Sequence, residues 1–314
     1  PIDASEEKVK QFLAFSDSRQ QASFAAIFFE NNHVRMLRKR LIWEMIKYNN
    51  YAEMNVDALA AYLEERIKTA DLFHNDMSAH KNAWAAVLVD LLKIDGSYDG
   101  EGLGLYYFDL DVKHLINEFT DNEIEEAFFG CNMTKEKLYT FIQLAFNVFK
   151  TTPAISYVKS STLTPDERRD ILEFRRFNNY VMLKNPIRIR KSNSEDSTFR
   201  GVRSFLPARD GQTNAVVRYT MKAFDIVADT AKDALKIIFS LLEQTSDMEG
   251  DEKIFIKHAQ KDAYQIDARR YIVKNYKNSK FYQCDKCGIL TPHNINDACV
   301  RDGCSGCLVE VDPD

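Results

Sequence analysis

The chain opens on residues 9–15, Val9-Lys10-Gln11-Phe12-Leu13-Ala14-Phe15, a short apolar run closed by the polar Ser16, Asp17 and Ser18. A helical pattern then begins at Arg19-Gln20-Gln21-Ala22, with Phe24, Ile27 and Phe28 at core spacing. It is expected to continue, after a break at Asn31-Asn32, into the basic run from Arg35 to Arg40. Strand, polar turn and helix start form an α/β unit, which places a site at the strand's C-terminal end. From Val56 to Lys150 the period is helical and the starts can be named. Ser78 precedes the stripe Ala83, Trp84, Val87, Leu88, Leu91; Thr120 with Glu123 makes a capping box; Thr134 precedes Leu138, Phe141, Ile142 and Ala145. The aromatic residues Trp84, Phe141, Phe146 and Phe149 read as packing. The interruption from Gly96 to Gly104 reads as a solvated turn, because Asp95, Asp99 and Glu101 lack the spacing of a calcium loop.

Beyond Lys150 the pattern changes. Thr164-Pro165-Asp166-Glu167 starts a helix with cap, proline and acid in order, and Arg168, Arg169, Arg175 and Arg176 can share one of its faces. Tyr180 to Leu183 and Ile187 to Arg190 alternate like strands, placing Arg188 and Arg190 on the face opposite Ile187 and Ile189. The run Phe199 to Pro207 brings Arg200 and Arg203 after a polar linker. Helices are predicted from about Asn214 to Phe224 and Thr230 to Gln244, and strands at Lys253 to Lys257 and Tyr264 to Lys274. These elements predict a mainly α chain with small β elements, an α+β class.

Length and composition bound this picture without sharpening it. The chain has 314 residues, enough for about two domains, and a 45% hydrophobic content supports a packed core. No apolar run approaches the roughly 18 residues of a membrane span, so a cytoplasmic protein without membrane contact is expected. The start at Pro1 and the acidic end at Asp314 read as a piece of something longer.

Charge is more informative because it is polarised. The net charge is -5, yet residues 50–130 hold 5 basic and 17 acidic side chains, while residues 165–222 hold 13 basic and 7 acidic ones. A local positive field can hold phosphates on an acidic molecule, since charges are screened beyond about 8 Å at physiological salt. The acidic block suits a protein partner.

Five of the six cysteines lie near the end: Cys284, Cys287, Cys299, Cys304 and Cys307. Two thiolates separated by two residues can face one ion from a tight turn, and Gly288 supplies the permissive backbone after Cys287. A second knuckle can be written at Cys304 with Cys307, or at Cys299 with Cys304, and His293 is a sixth, distant candidate. Zinc is the expected ion and disulfides are the alternative. Cys131 reads as a buried small hydrophobe. No phosphate-binding glycine loop, dinucleotide fingerprint, metalloprotease helix or nucleophile elbow occurs, and the six histidines show no catalytic spacing.

Three stretches together resemble one family, the large bacterial superfamily 2 helicases of the DEAD/DEAH-box type with helical insertions and a cysteine cluster. They are Phe12 to Ala22, which looks like the motif IV region of the second RecA-like lobe; Phe199 to Pro207 with Gly211 and Asn214; and Tyr282 to Asn294 followed by Cys299 and Cys304-Ser305-Gly306. The resemblance implies a parent that couples hydrolysis of ATP, with Mg2+, to movement along nucleic acid, with DNA the expected strand. Under it, Ser16, Asp17, Ser18, Arg19 and Gln20 would meet the strand's phosphates, although helix capping by Ser16 or Asp17 explains the same residues. It also implies a structural zinc ion on Cys284, Cys287, Cys299 and Cys304, leaving Cys307 as an extra. The organisation that follows is the start of a RecA-like lobe over 1–50, an acidic helical insertion over 51–160, a basic helix-and-strand segment over 161–250, and a strand pair with a zinc module over 251–314. The motifs that complete an ATP site are absent, so this chain by itself is expected to be inactive, working as part of the helicase chain. The rival expectation is a non-enzymatic, zinc-containing protein-interaction module.

Overall fold

The computed structural model describes residues 19–50, 52–73, 78–93, 99–156, 180–184, 203–207, 209, 211–244, 254–258, 262–275, 277 and 279–312, the side chains of 19–32 excepted. Helix α1 (Arg19–Tyr48) runs unbroken through Asn31 and Asn32, so the expected break does not occur. Asparagine costs a helix only a fraction of a kcal/mol, and the buried Leu41, Ile42 and Ile46 anchor the same helix further on. Helices α2 (Val56–Ala70) and α3 (Ala79–Leu91) lie against it. Their starts follow local chemistry: Asn55 accepts from the Ala58 amide at 2.8 Å, and Ser78 accepts from the Lys81 amide. Both elements of the Thr120/Glu123 capping box form at α5 (Asp121–Ala127), which follows the short α4 (Lys113–Asn117). Thr134 caps α6 (Lys135–Thr151) as its sequence signal predicts.

The reading of 56–150 as helical misses β2 (Tyr106–Leu110), a strand buried at every position. A strand covered on both faces shows no alternation of polar and apolar residues, which removes the signal that marks strands in sequence. It pairs antiparallel with β8 (Tyr271–Asn275), Phe108 opposite Val273, and β8 pairs on its other edge with β1 (Met54–Asn55). Tyr106, Phe108 and Leu110 enter the main core, while Tyr107 and Asp109 face the other way.

A second sheet joins β3 (Ile155–Ser156), β4 (Val181–Lys184), β5 (Arg203–Leu206), β6 (Phe255–Lys257) and β7 (Tyr264–Asp267), with β7 hydrogen-bonded to β3, β4 and β6. Between β5 and β6 the chain forms α7 (Ala215–Phe224), capped by Asn214, and α8 (Ala228–Gln244). Phe146 and Phe149 of α6 meet Phe205, Phe239 and Phe255 in one aromatic cluster, with ring centroids 5.0–6.2 Å apart. These aromatics are core, as are Trp84, Phe141 and Cys131. A third sheet, β10 (Leu290–Thr291), β9 (Phe281–Cys284) and β11 (Leu308–Val311), carries the cysteines. The architecture is mixed α and β. The run 9–15, the helix at 164, the strand at 187–190 and most of the arginine-rich segment lie outside the described residues.

The described part of the turn before β2, residues 99–104, is not the freely solvated loop expected, although Leu103 is exposed. Asp99 is 4% exposed and Glu101 sits beside Lys93 at 2.8 Å, while Asp95 lies outside the described residues. The turn folds inward because Asp90 of α3 accepts from both the Gly100 amide, at 3.2 Å, and the Tyr106 hydroxyl. Asp90 is itself paired with Lys39 of α1 at 3.3 Å. Burial pushes the Asp99 carboxyl up to about 6, from an ordinary 3.8, against the pull of Lys93. Above pH 6 the ionised group costs the native state; below 3.8 it is protonated whether folded or not, and the cost vanishes. Asp99→Asn, which keeps an acceptor for the Gly102 amide, should therefore stabilise the protein at pH 7 by about 1–3 kcal/mol. Urea unfolding should show that gain shrinking as pH falls from 6 to 4.

Candidate metal centre and the polar junction behind it

Strand β9 delivers Cys284 to a tight turn, Asp285–Cys287, and the chain reverses at Gly288, whose φ of +68° suits glycine. Cys299 and Cys304 approach from a second loop that turns before β11. The Sγ atoms of Cys284 and Cys304 are 3.7 Å apart, those of Cys287 and Cys299 3.6 Å, and all four lie within 4.8 Å of one another. A tetrahedral ion with metal–sulfur bonds of about 2.3 Å sets its sulfurs about 3.8 Å apart. These four residues can hold one metal ion, and all six cysteines are free thiols.

The surrounding backbone is built for negative sulfur. The Arg301 amide donates to Cys299 and the Gly306 amide to Cys304, each at 3.4 Å. Amides of Cys287 and Lys286 directed at Cys284 draw its thiol down to about 6, whereas burial pushes the Cys299 thiol up to about 12. A cation takes cysteine as thiolate, so metal binding at such a cluster releases protons. Gly306 is required by close approach: a Cβ there would stand 2.5 Å from the Cys284 sulfur. Cys307 is exposed, and its amide donates to the Asp285 carboxylate at 2.8 Å. The spacing left Cys307 open as a ligand; the fold turns it away from the cluster. His293 is also elsewhere, with Nε2 2.8 Å from Asp109.

The module's own hydrophobic cluster has three buried residues, Cys284, Cys299 and Leu308, while its Ile295 and Ala298 pack into the main core, so it depends on the body. Helix α7 supplies a clasp. Lys222 donates to the Cys304 carbonyl at 2.8 Å and reaches those of Gly306 and Cys299 at 3.3 and 3.5 Å. Arg218 grips Asp302 through two nitrogens, at 2.9 and 2.5 Å, and the Asn296 amide donates to the Ala223 carbonyl.

On the opposite side the module meets a buried polar junction. Asp109 is 1% exposed and faces His293, Lys274 at 3.1 Å and the Tyr139 hydroxyl, which donates to it at 2.9 Å. Burial alone would raise the Asp109 carboxyl, but the charge and hydrogen bond of His293, with Lys274 and Lys150 behind, hold it well below the carboxylate range. Tyr107 packs edge-on against His293 and Phe281. Sequence reasoning missed this junction, although an acid inside Tyr-Tyr-Phe-Asp-Leu was a visible signal. The clasp at Lys222 had none.

Comparison with family models, curated proteins and solved structures finds no match. Of the residues expected to meet a nucleic-acid strand, Arg203 is exposed at the start of β5, and Arg19 and Gln20 open α1 without described side chains. Ser16, Asp17, Ser18, Arg188, Arg190 and Arg200 lie outside the described residues. No helix among the described residues is long and apolar enough to cross a membrane.

Cobalt titration should reveal one tetrathiolate site per chain by its charge-transfer absorption. Cys299→Ser should abolish tight binding and Cys307→Ser should leave it unchanged; the reverse would move the second knuckle to Cys304 and Cys307. Replacing Lys222 by Met should cost about 1–2 kcal/mol, since the lysine is partly solvated. Amide exchange should accelerate first at residues 299–306, with α2 and α3 unaffected.

Proposed function

We propose that the chain is a segment of an ATP-dependent DNA helicase or translocase, contributing contacts to the strand backbone and a structural zinc site. The observation that carries the metal half is the closed set of four sulfurs at tetrahedral separations. Four protein ligands leave no position for substrate, so the ion serves folding and not chemistry, and thiolates favour zinc over hard cations. The clasp by Lys222 and Arg218 fits that role, because it ties the metal-held loops to the body. The helicase half is supported by the resemblance at residues 12–22, 199–214 and 282–306 and by the basic excess over 165–222. In this reading Arg188, Arg190, Arg200 and Arg203, with residues 16–20, hold phosphates without reading bases. ATP and Mg2+ belong to parts of the parent outside these residues, and the isolated chain hydrolyses nothing.

A second reading, a protein-interaction module, is favoured by α5. Its Asp121, Glu123, Glu125 and Glu126 are exposed, and Phe129 just beyond it is 85% exposed. Such a face repels DNA and suits a basic protein surface.

Fluorescence anisotropy separates the two. Single-stranded and forked DNA should bind at about 50 mM salt and weaken steeply by about 200 mM. Neutralising Arg188, Arg190, Arg200 and Arg203 to Gln should flatten the logarithmic salt slope by up to about 3, from roughly 0.7 per phosphate contact. A metal-loaded chain that ignores DNA at low salt rejects the first reading in favour of the second.

A further inference from the structure

Helix α7 ends against the cysteine module. The carbonyls of its last turn form the negative pole of the helix, and that turn lies beside the loop from Asn296 to Gly306, with the Asn296 amide on the Ala223 carbonyl. A divalent ion on four thiolates leaves about two net negative charges at the centre. Two negative poles therefore meet at this contact. The module does little to relieve them. Asp285 holds its carboxylate 3.8 Å from the Cys284 sulfur, while Lys286 and Arg301 are exposed and Lys286 is turned to the hydroxyl and carbonyl of Ser305.

Lys222, in the last turn of α7, stands where the poles meet. Its ammonium has three N–H donors, and three carbonyls of the ligand-bearing loop surround it, Cys304 at 2.8 Å, Gly306 at 3.3 Å and Cys299 at 3.5 Å. Two of these belong to residues whose sulfurs would hold the ion, and the Gly306 amide donates to the Cys304 sulfur. Other cations of the body are engaged elsewhere. Arg218 is paired with Asp302, and Lys93, Lys150 and Arg203 line a cavity of about 260 Å³ between α6, α7 and the module. The module's share of that wall is Ile289, Thr291, His293, Val300 and Asp302, with no cysteine among them.

We propose that Lys222 is the counter-ion of the metal centre, so that seating the module on α7 raises its affinity for zinc. Loading makes the site more negative, because thiols lose protons to the ion, and a cation beside it favours the loaded state. By linkage the bound ion tightens the seating in equal measure. The inference rests on the metal reading above and adds that the body, through one side chain, sets how firmly the ion is kept.

The test withdraws zinc from the metal-loaded chain with a competing chelator at neutral pH. Lys222→Met should weaken zinc about tenfold, the lower end for an outer partner of a metal site, because the lysine is partly solvated. Lys222→Gln is the sharper variant, since its amide still donates to the loop carbonyls without bringing charge. It should weaken zinc as Met does, while Lys222→Arg should hold zinc like the unsubstituted chain. Raising salt from about 50 to about 500 mM should narrow the gap between Lys222→Gln and the unsubstituted chain, because the ammonium is screened. Lys280→Gln, which removes an exposed charge paired with Glu310 elsewhere on the module, should change nothing. Full affinity in Lys222→Gln makes Lys222 a mechanical clasp and overturns the proposal, as does a loss that Arg fails to restore or that salt leaves unchanged. An unsubstituted chain that takes up no zinc rejects the metal reading itself.

Discussion

The arrangement turns on one buried carboxylate. Asp109 sits on a strand with no solvent around it, and an isolated charge there is prohibitive, so its partners must be delivered by the fold. They come from three places: Lys274 from the neighbouring strand, Tyr139 from α6, and His293 from the module that carries the cysteines. Each partner fixes a relation between elements distant in sequence. Lys274 sets the pairing of β2 with β8, Tyr139 draws α6 across that strand pair, and His293 brings the cysteine loops to the body. A buried carboxylate stripped of its partners typically costs about 3–5 kcal/mol, so the three together hold the elements in place.

The metal module is accordingly held from two sides by different physics. On the α7 side the contacts are partly solvated and made to backbone carbonyls, so they set orientation more than stability. On the Asp109 side they are buried and charged. A metal ion would lock the loops internally, while these contacts, with Ile295 and Ala298 packed into the main core, tell the module where to sit. The cavity lies between them, and its walls therefore belong partly to the body and partly to the module.

Much of this was legible in the chain wherever the cause was local. Ser78, Thr120 with Glu123, Thr134 and Asn214 cap helices because a side chain three residues away from an amide needs no tertiary help. The cysteine spacing was equally readable, since C-x2-C is a statement about one turn. What could not be read depended on distant partners. Strand β2 looks like a break between helices until β8 covers its edge, and Asp99 and Glu101 look like surface acids until Lys93 and Asp90 draw their turn inward. The choice among Cys299, Cys304 and Cys307 was open on spacing because it depends on the Asp285 contact that turns Cys307 outward.

Strand β8 gives the first sheet an uncommon dependence on time. Strands β1 and β2 never touch each other in this sheet; each pairs only with β8, whose residues follow β2 by more than 160 positions. On a ribosome adding about 5–20 residues per second, the helices of the first half can assemble while these two strands wait with open edges for roughly ten to thirty seconds. Exposed strand edges recruit other chains, so through that interval the nascent protein is vulnerable to mispairing until β8 emerges.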